Sequence, residues 1–199
     1  MNSDLSRRSV LLGTAALIAT SATRANALTE AEARRVINAA VAEINRAINS
    51  GQSASRLYRT FEGIFRKYAD VPTIARSALG PPARSASRAQ MRSFTTAFAG
   101  YMSRKYGKRF REFAGGTVEV TGARQVKNFQ EVRALAKLPG QSPFAVSFMV
   151  SDRSGSDKFF DLLIEGISLL KSERAEIGAM LDKRRGDIDA LIGDLQRAG

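Results

Sequence analysis

Apolar residues change their spacing twice along this 199-residue chain, and that pattern limits the folds open to it. From Thr29 to Phe110 they recur every three to four positions, the helical period. From Thr117 to Ile164 they follow strand patterns, with strict alternation over Phe144–Val150. From Leu169 onward the helical spacing returns. Thr29 and Glu32 have capping-box spacing, and Val36, Ile37, Ala40, Val41, Ile44 and Ile48 then form one stripe that Gly51 stops. A second helix starts near Ser53 and carries Leu57, Phe61, Ile64, Phe65 and Tyr68. Asp70 caps a short third helix, with Pro72 in its first turn and Gly80-Pro81-Pro82 at its end. Ser87 and Gln90 open a long helix bearing Met91, Phe94, Phe98, Tyr101 and Met102, extending to Tyr106 and Phe110.

Gly115-Gly116 turns the chain into strands over Thr117–Lys127 and Phe129–Leu138. Pro139-Gly140 leads to the strand Phe144–Val150, and Ser154-Gly155-Ser156 returns the chain along Lys158–Ile164. A helix over Leu169–Arg185 ends at Gly186, and Asp187 caps a last helix with Ile188, Leu191, Ile192 and Leu195. Strands joined by short turns make an antiparallel meander. Their segregation from the helices predicts an α+β fold, helices packed on a twisted four-stranded antiparallel sheet, and not a doubly wound one.

The chain has no cysteine and no histidine. Disulfides, thiolate nucleophiles, thiolate metal sites and the Ser-His-Asp arrangement are therefore excluded. No phosphate-binding glycine loop and no nucleophile elbow is present. Asp161 and Glu165, four apart at the end of the last strand, are the one carboxylate pair that could serve an enzyme, by acid–base chemistry or by holding Mg²⁺. The competing reading is that they edge the strand, cap the next helix or pair with an arginine. Asp187 and Asp189 suit the N-terminus of the last helix.

Residues 1–27 read as an export signal. Arg7-Arg8 precede a short apolar run, Val10–Ala22, and Ala25-Asn26-Ala27 is a small-x-small cleavage site, so the mature chain is expected to start at Leu28. The run is too short to span a membrane, which takes about 20 residues. Ser6-Arg7-Arg8-Ser9-Val10-Leu11-Leu12 resembles a twin-arginine signal, although it lacks the phenylalanine and lysine often present, which leaves ordinary secretion open. Either route leads to the periplasm of a cell with two membranes, where nucleic acid is not an expected partner.

The formal charge is +12, and loss of residues 1–27 takes away three arginines and Asp4 to leave +10. All of that excess lies in 53–113, which holds 13 Lys/Arg against Glu62, Asp70 and Glu112. A solvated helical surface is one reading. Attraction to an anionic surface or partner is the other. Arg104, Lys105, Lys108, Arg109 and Arg111 are the expected docking residues.

The run Lys158-Phe159-Phe160-Asp161-Leu162-Leu163-Ile164-Glu165-Gly166-Ile167-Ser168-Leu169 resembles the K-V-Y-D-V-x-I-E-G-V-S-L pattern of the MlaC (toluene-tolerance) family. Tyr68-Ala69-Asp70, Ile74-Ala75-Arg76, Leu79-Gly80 and the Phe94–Tyr106 helix resemble other stretches of that family. The order matches over roughly 30–197. Two departures stand out: Asp157, and Pro81-Pro82, occupy places where the family often has tryptophan.

The resemblance implies a non-enzymatic periplasmic phospholipid carrier with no cofactor. Its acyl chains would lie between a twisted sheet and helices. It would shuttle between an outer-membrane lipoprotein complex and an inner-membrane ABC transporter with an MCE-domain subunit. The expected state is monomeric. A hopanoid cargo, a cationic adaptor with a solid core, or an enzyme using Asp161 and Glu165 are the alternatives. Alternation places Phe144, Val146, Phe148 and Val150 on one strand face, and Phe160, Leu162 and Ile164 on the apolar face of the last strand. With Ile64, Phe65, Ile74, Phe98 and Met102 from the helices, these are the expected lipid-binding residues.

Overall fold

The computed structural model describes residues 28–110 and 113–198. The expected export signal and Arg111 lie outside the described residues. Among the described residues, six α-helices pack on one antiparallel sheet.

Helix α1 (Glu30–Ile48) opens with the expected capping box: the Glu32 amide donates to Thr29 Oγ1 at 3.2 Å, and the Thr29 amide donates to the Glu32 carboxylate at 2.9 Å. It buries Ala33, Ile37, Ala40 and Val41, residues three to four apart on one face. Helix α2 (Ala54–Tyr68) buries Leu57, Phe61, Ile64 and Tyr68. Asp70 caps α3 (Val71–Leu79) by accepting from the Thr73 amide, and Pro72 occupies the first turn, where its missing N–H has no helical partner to lose. Gly80 follows with φ 72°, beneath the Arg174 guanidinium, so the chain turns there where a side chain would be strained. Ser87 and Gln90 cap α4 (Arg88–Phe110) reciprocally.

Strands β1 (Thr117–Val126), β2 (Phe129–Lys137), β3 (Phe144–Ser151) and β4 (Lys158–Ile164) pair in sequence order. The sheet has five strands, not four. Glu165 and Gly166, at φ 48° and 78°, fold Ile167–Ser168 back on Ile164 and Leu163 as β5. Two consecutive positive-φ residues make the tight hairpin connection whose twist suits antiparallel strands. Helix α5 (Leu169–Lys183) is two residues shorter than expected, because Arg184 and Arg185 leave helical geometry, Arg185 at φ 55°. Asp187 caps α6 (Ile188–Arg197) through the Ala190 amide.

Three apolar clusters result. One joins α3, α4, α5 and α6 around Phe94, Phe98, Ile177, Leu191 and Leu195. A second lies between α1 and the sheet, around Ile37, Val41, Val132, Phe148 and Val150. The third joins α1 to α2 around Ile48, Leu57, Phe61 and Ile64. Phe159 packs against all three.

Candidate functional site

A cavity of about 640 Å³ lies between the sheet and the helices, with walls drawn from all three clusters. Ala40, Ile44 and Ile48 of α1 face it, with Phe61, Ile64 and Phe65 of α2 beside them. Helix α4 contributes Met102, Ser103, Tyr106 and Gly107. The sheet presents Val118, Ala136, Phe144, Val146, Phe148, Phe159, Leu162 and Ile164. Phe113, Leu138, Gln141 and Leu169 also line the cavity. The volume falls within the roughly 300–1,000 Å³ of typical ligand sites.

Among the described lining residues, only three side chains are polar: Ser103, Tyr106 and Gln141. Ser103 donates to the Ala99 carbonyl at 2.8 Å, and the Tyr106 hydroxyl donates to the buried Glu173 carboxylate. Among the described residues, the Gln141 side chain makes no such internal bond. Such walls offer dry surface and little to orient a polar substrate.

Behind Tyr106 sits a charged cluster. Lys105 donates to Glu173 at 2.7 Å and also to Glu176, and the Tyr101 hydroxyl donates to Glu176 at 2.5 Å. Glu173 is only 1% exposed and would be costly to bury without these partners. Burial and the bond to Glu176 push the Tyr101 hydroxyl pKa up; burial and the bond to Glu173 do the same for Tyr106. Burial alone would lower the Lys105 pKa, but its bonds to Glu173 and Glu176 outweigh that and raise it. For Glu176, burial works upward and is outweighed by Lys105 and Tyr101, which hold it below the usual carboxylate value. The cluster ties α4 to α5 at the cavity wall.

Of the residues expected to bind lipid, the structure brings eight to the cavity: Ile64, Phe65, Met102, Phe144, Val146, Phe148, Leu162 and Ile164. Four lie elsewhere. Ile74 packs within the helical core. Phe98 is fully buried there too, its ring 5.9 Å from that of Phe94. Val150 shares its strand face with Val146 and Phe148, yet lies past the cavity in the α1–sheet core with Leu28, at 0% exposure. Phe160 is turned away by an irregularity in the β3–β4 pairing. Met149 opposes Asp161 while Val150 opposes Phe159, so one extra residue is accommodated at Phe160. Alternation is reset, Phe159 takes the cavity face, and the Phe160 ring meets Phe129 edge-on at 5.4 Å.

Sequence reasoning therefore missed Phe159. It contacts Phe148 and Phe65, with ring centroids 5.7 Å and 6.3 Å away. Its carbonyl accepts from the Asp70 amide at 2.8 Å, which fastens β4 to the start of α3. The α1 stripe and Phe61 were visible as helical faces, but nothing in their period separates cavity wall from core.

The expected docking residues also divide. Arg104 donates to the Leu195 and Ala198 carbonyls at the end of α6, and Lys105 is held by the glutamates of α5. Both are internal ties. Lys108 is exposed. Arg111 and the side chain of Arg109 lie outside the described residues.

Both members of the carboxylate pair are engaged in local hydrogen bonds. Asp161 accepts from Ser168 Oγ at 2.6 Å and from the Leu170 amide at 3.0 Å, at the start of α5. Glu165 reaches the other way, accepting from the Ala145 amide at the head of β3. No group of three or more metal-ligating side chains occurs among the described residues.

The model of one family, described as MlaC protein, matches residues 34–197. The chain belongs to the MlaC family. Its structure also resembles that of a phospholipid-binding protein from Ralstonia solanacearum, solved in complex with a phospholipid, at 19% sequence identity and a TM-score of 0.71. The match covers 83% of this chain and 95% of that one. Family membership and the shared α+β architecture thus agree with the order of elements along the sequence.

Proposed function

We propose that the protein is a phospholipid-binding carrier of the periplasm, holding acyl chains in the cavity between sheet and helices and performing no catalysis. The observation that carries this reading is the cavity itself: about 640 Å³, with described lining side chains that are nearly all apolar, in a member of the MlaC family. A phospholipid bound to the Ralstonia neighbour supports it. Each methylene moved from water to such a wall is worth about 0.8 kcal/mol, so sequestering acyl chains is strongly favourable and unaided release is slow. A carrier of this kind needs partners that open it. We assign those roles to an outer-membrane lipoprotein complex and to the MCE-domain subunit of an inner-membrane ABC transporter. The chain is exported by the signal at residues 1–27, cut after Ala27, and works as a monomer. Exposed cations of the 53–113 block, among them Arg56, Arg59 and Lys108, steer it toward acidic partners or headgroups.

The test is extraction of the gently purified mature protein with organic solvent, followed by mass spectrometry. Phospholipid near one molecule per chain is expected. A clean extract overturns the reading in favour of an adaptor, and a stoichiometric polycyclic lipid replaces the cargo.

A further inference from the structure

Gln130, at the start of β2, is 3% exposed and faces the α1 side of the sheet. Its Nε2 donates to the Leu28 carbonyl at 2.8 Å, while its Oε1, equally buried, has no partner among the described residues. A buried amide oxygen without a donor is unfavourable and uncommon. The residue beside it is Leu28, itself buried at the edge of the core formed by Ala33, Ile37 and Val41 of α1 and Val150 of β3. The sequence places export cleavage at the bond before Leu28.

We propose that Gln130 is a built receptor for the chain's own processed N-terminus. Cleavage replaces one amide N–H, fixed in a peptide plane, with an ammonium carrying three donors that rotate freely about N–Cα. The nitrogen and carbonyl of one residue lie close together, and so do the two ends of a side-chain amide. With Nε2 already on the Leu28 carbonyl, Oε1 is left to accept from the new ammonium. That group is charged at neutral pH, and a charged donor makes a stronger bond than a neutral one. The bond fastens the first residue ahead of the Thr29 cap and holds α1 on the sheet. Since Ala40, Ile44 and Ile48 of that helix line the cavity, removal of the signal firms the cavity wall. This inference rests on the proposed cleavage after Ala27, and its experiment separates the two.

The chain is prepared to begin at Leu28, and again with Gly-Ser placed ahead of it. Gln130→Met, which keeps shape and loses the amide, and Gln130→Glu, which keeps an acceptor, are made in the first form. An amine-reactive ester at pH 7 is followed by site-resolved mass spectrometry, with exposed lysines as the internal reference. The Leu28 α-amine is expected to react at least about tenfold more slowly than in the denaturant-unfolded chain, the factor set by one charge-assisted hydrogen bond. Protection is expected to vanish in Gln130→Met and persist in Gln130→Glu. The Gly-Ser form is expected to melt about 3 °C lower, the size of shift that losing one such bond gives a domain of this length. Equal reactivity in wild type and folded Gln130→Met overturns the proposal. Should Gln130→Met fail to fold, a wild-type α-amine as reactive as in the unfolded chain does the same. Sequencing the N-terminus of the exported protein reads the cleavage separately: Leu28 supports it, and any other first residue removes the biological role even where the bond forms.

Discussion

Val146 and Val150 occupy the same face of β3, four residues apart, yet their surroundings differ in kind. Val146 lines the cavity, while Val150 is at 0% exposure in solid packing with Leu28. Val146→Glu can turn its carboxylate toward a space that admits water when empty. We expect a folded protein whose bound lipid falls at least about tenfold, a loss corresponding to roughly 1.4 kcal/mol or more. Val150→Glu has no such outlet. An unpaired buried charge costs several kcal/mol and removes most of the stability of a domain. The measurement is a melting curve plus extractable lipid per protein for both variants. A folded Val146→Glu with full occupancy would remove that residue from the lipid site. Phe98→Ala belongs with Val150: about 3–5 kcal/mol of stability should be lost, with lipid affinity unchanged wherever the protein is folded. At this scale the sequence was legible where period alone decided the outcome. Phe144, Val146 and Phe148 follow directly from alternation. Phe160 does not, because a single extra residue in β4 exchanges it with Phe159, and no residue type in Lys158-Phe159-Phe160-Asp161 announces a bulge. Ile74 and Phe98 lie on true apolar helix faces, but a helical stripe does not say whether it meets another helix or a cavity.

Between elements, two contacts govern the cavity wall formed by α4. The first is Gly107 against Tyr58 of α2. A Cβ at Gly107 would come within 2.5 Å of the Tyr58 ring, so the helices approach as closely as they do because position 107 has no side chain. Gly107→Val should push α2 from α4, costing about 1–3 kcal/mol by overpacking and changing lipid occupancy together with stability. Tyr58→Ala in the same chain should relieve the clash. If Gly107→Val melts like wild type, the contact is not limiting. The second is the Lys105 bridge to Glu173 and Glu176. Glu176 is held below its ordinary value of 4.5, so its contribution is present above that pH and is lost as pH falls through the lowered folded value. Lys105 is raised above 10.5, so its contribution is complete below that and is lost only as pH rises through the higher folded value. The Lys105–Glu176 arm of the bridge is therefore intact at neutral pH and fails in acid. Lys105→Met should lower the melting temperature at pH 7 and flatten its fall below pH 4.5. Melting curves across that range check this, and parallel pH profiles for wild type and variant would count against the bridge. The capping boxes, Pro72 and the Asp70 and Asp187 caps were readable because each is a local signal. The bridge was not, because it joins residues 68 and 71 positions apart.

For the molecule as a whole, the order of elements was the most legible property. A meander flanked by helices leaves few ways to cover one sheet face. The segment Glu165-Gly166-Ile167 was harder to place, since a two-residue strand has no period to detect. Charge distribution is likewise a property of the whole chain. Of the two inward-turned cations of the 53–113 block, Lys105 is offset by Glu173 and Glu176, while Arg104 is held by neutral carbonyls of α6 and still adds to the field of the exposed cations. Association of the mature protein with anionic vesicles should weaken several-fold between low and physiological salt, as screening shortens to about 8 Å. Vesicle sedimentation at both salt concentrations reads this directly, and an unchanged bound fraction would exclude electrostatic steering.

Phe159 gives the protein a shared internal reporter. Its ring touches the helical core, the α1–sheet core and the α1–α2 core, and its carbonyl is fastened to Asp70. Cargo pressing on that ring loads three packing units at once, so filling should be sensed as one event and not wall by wall. Amide exchange should slow in α1, α2 and the start of α3 with a common dependence on lipid occupancy. Phe159→Ala should split that response into separate ones, leaving a protein that still encloses space but no longer registers, as a unit, whether the space is full.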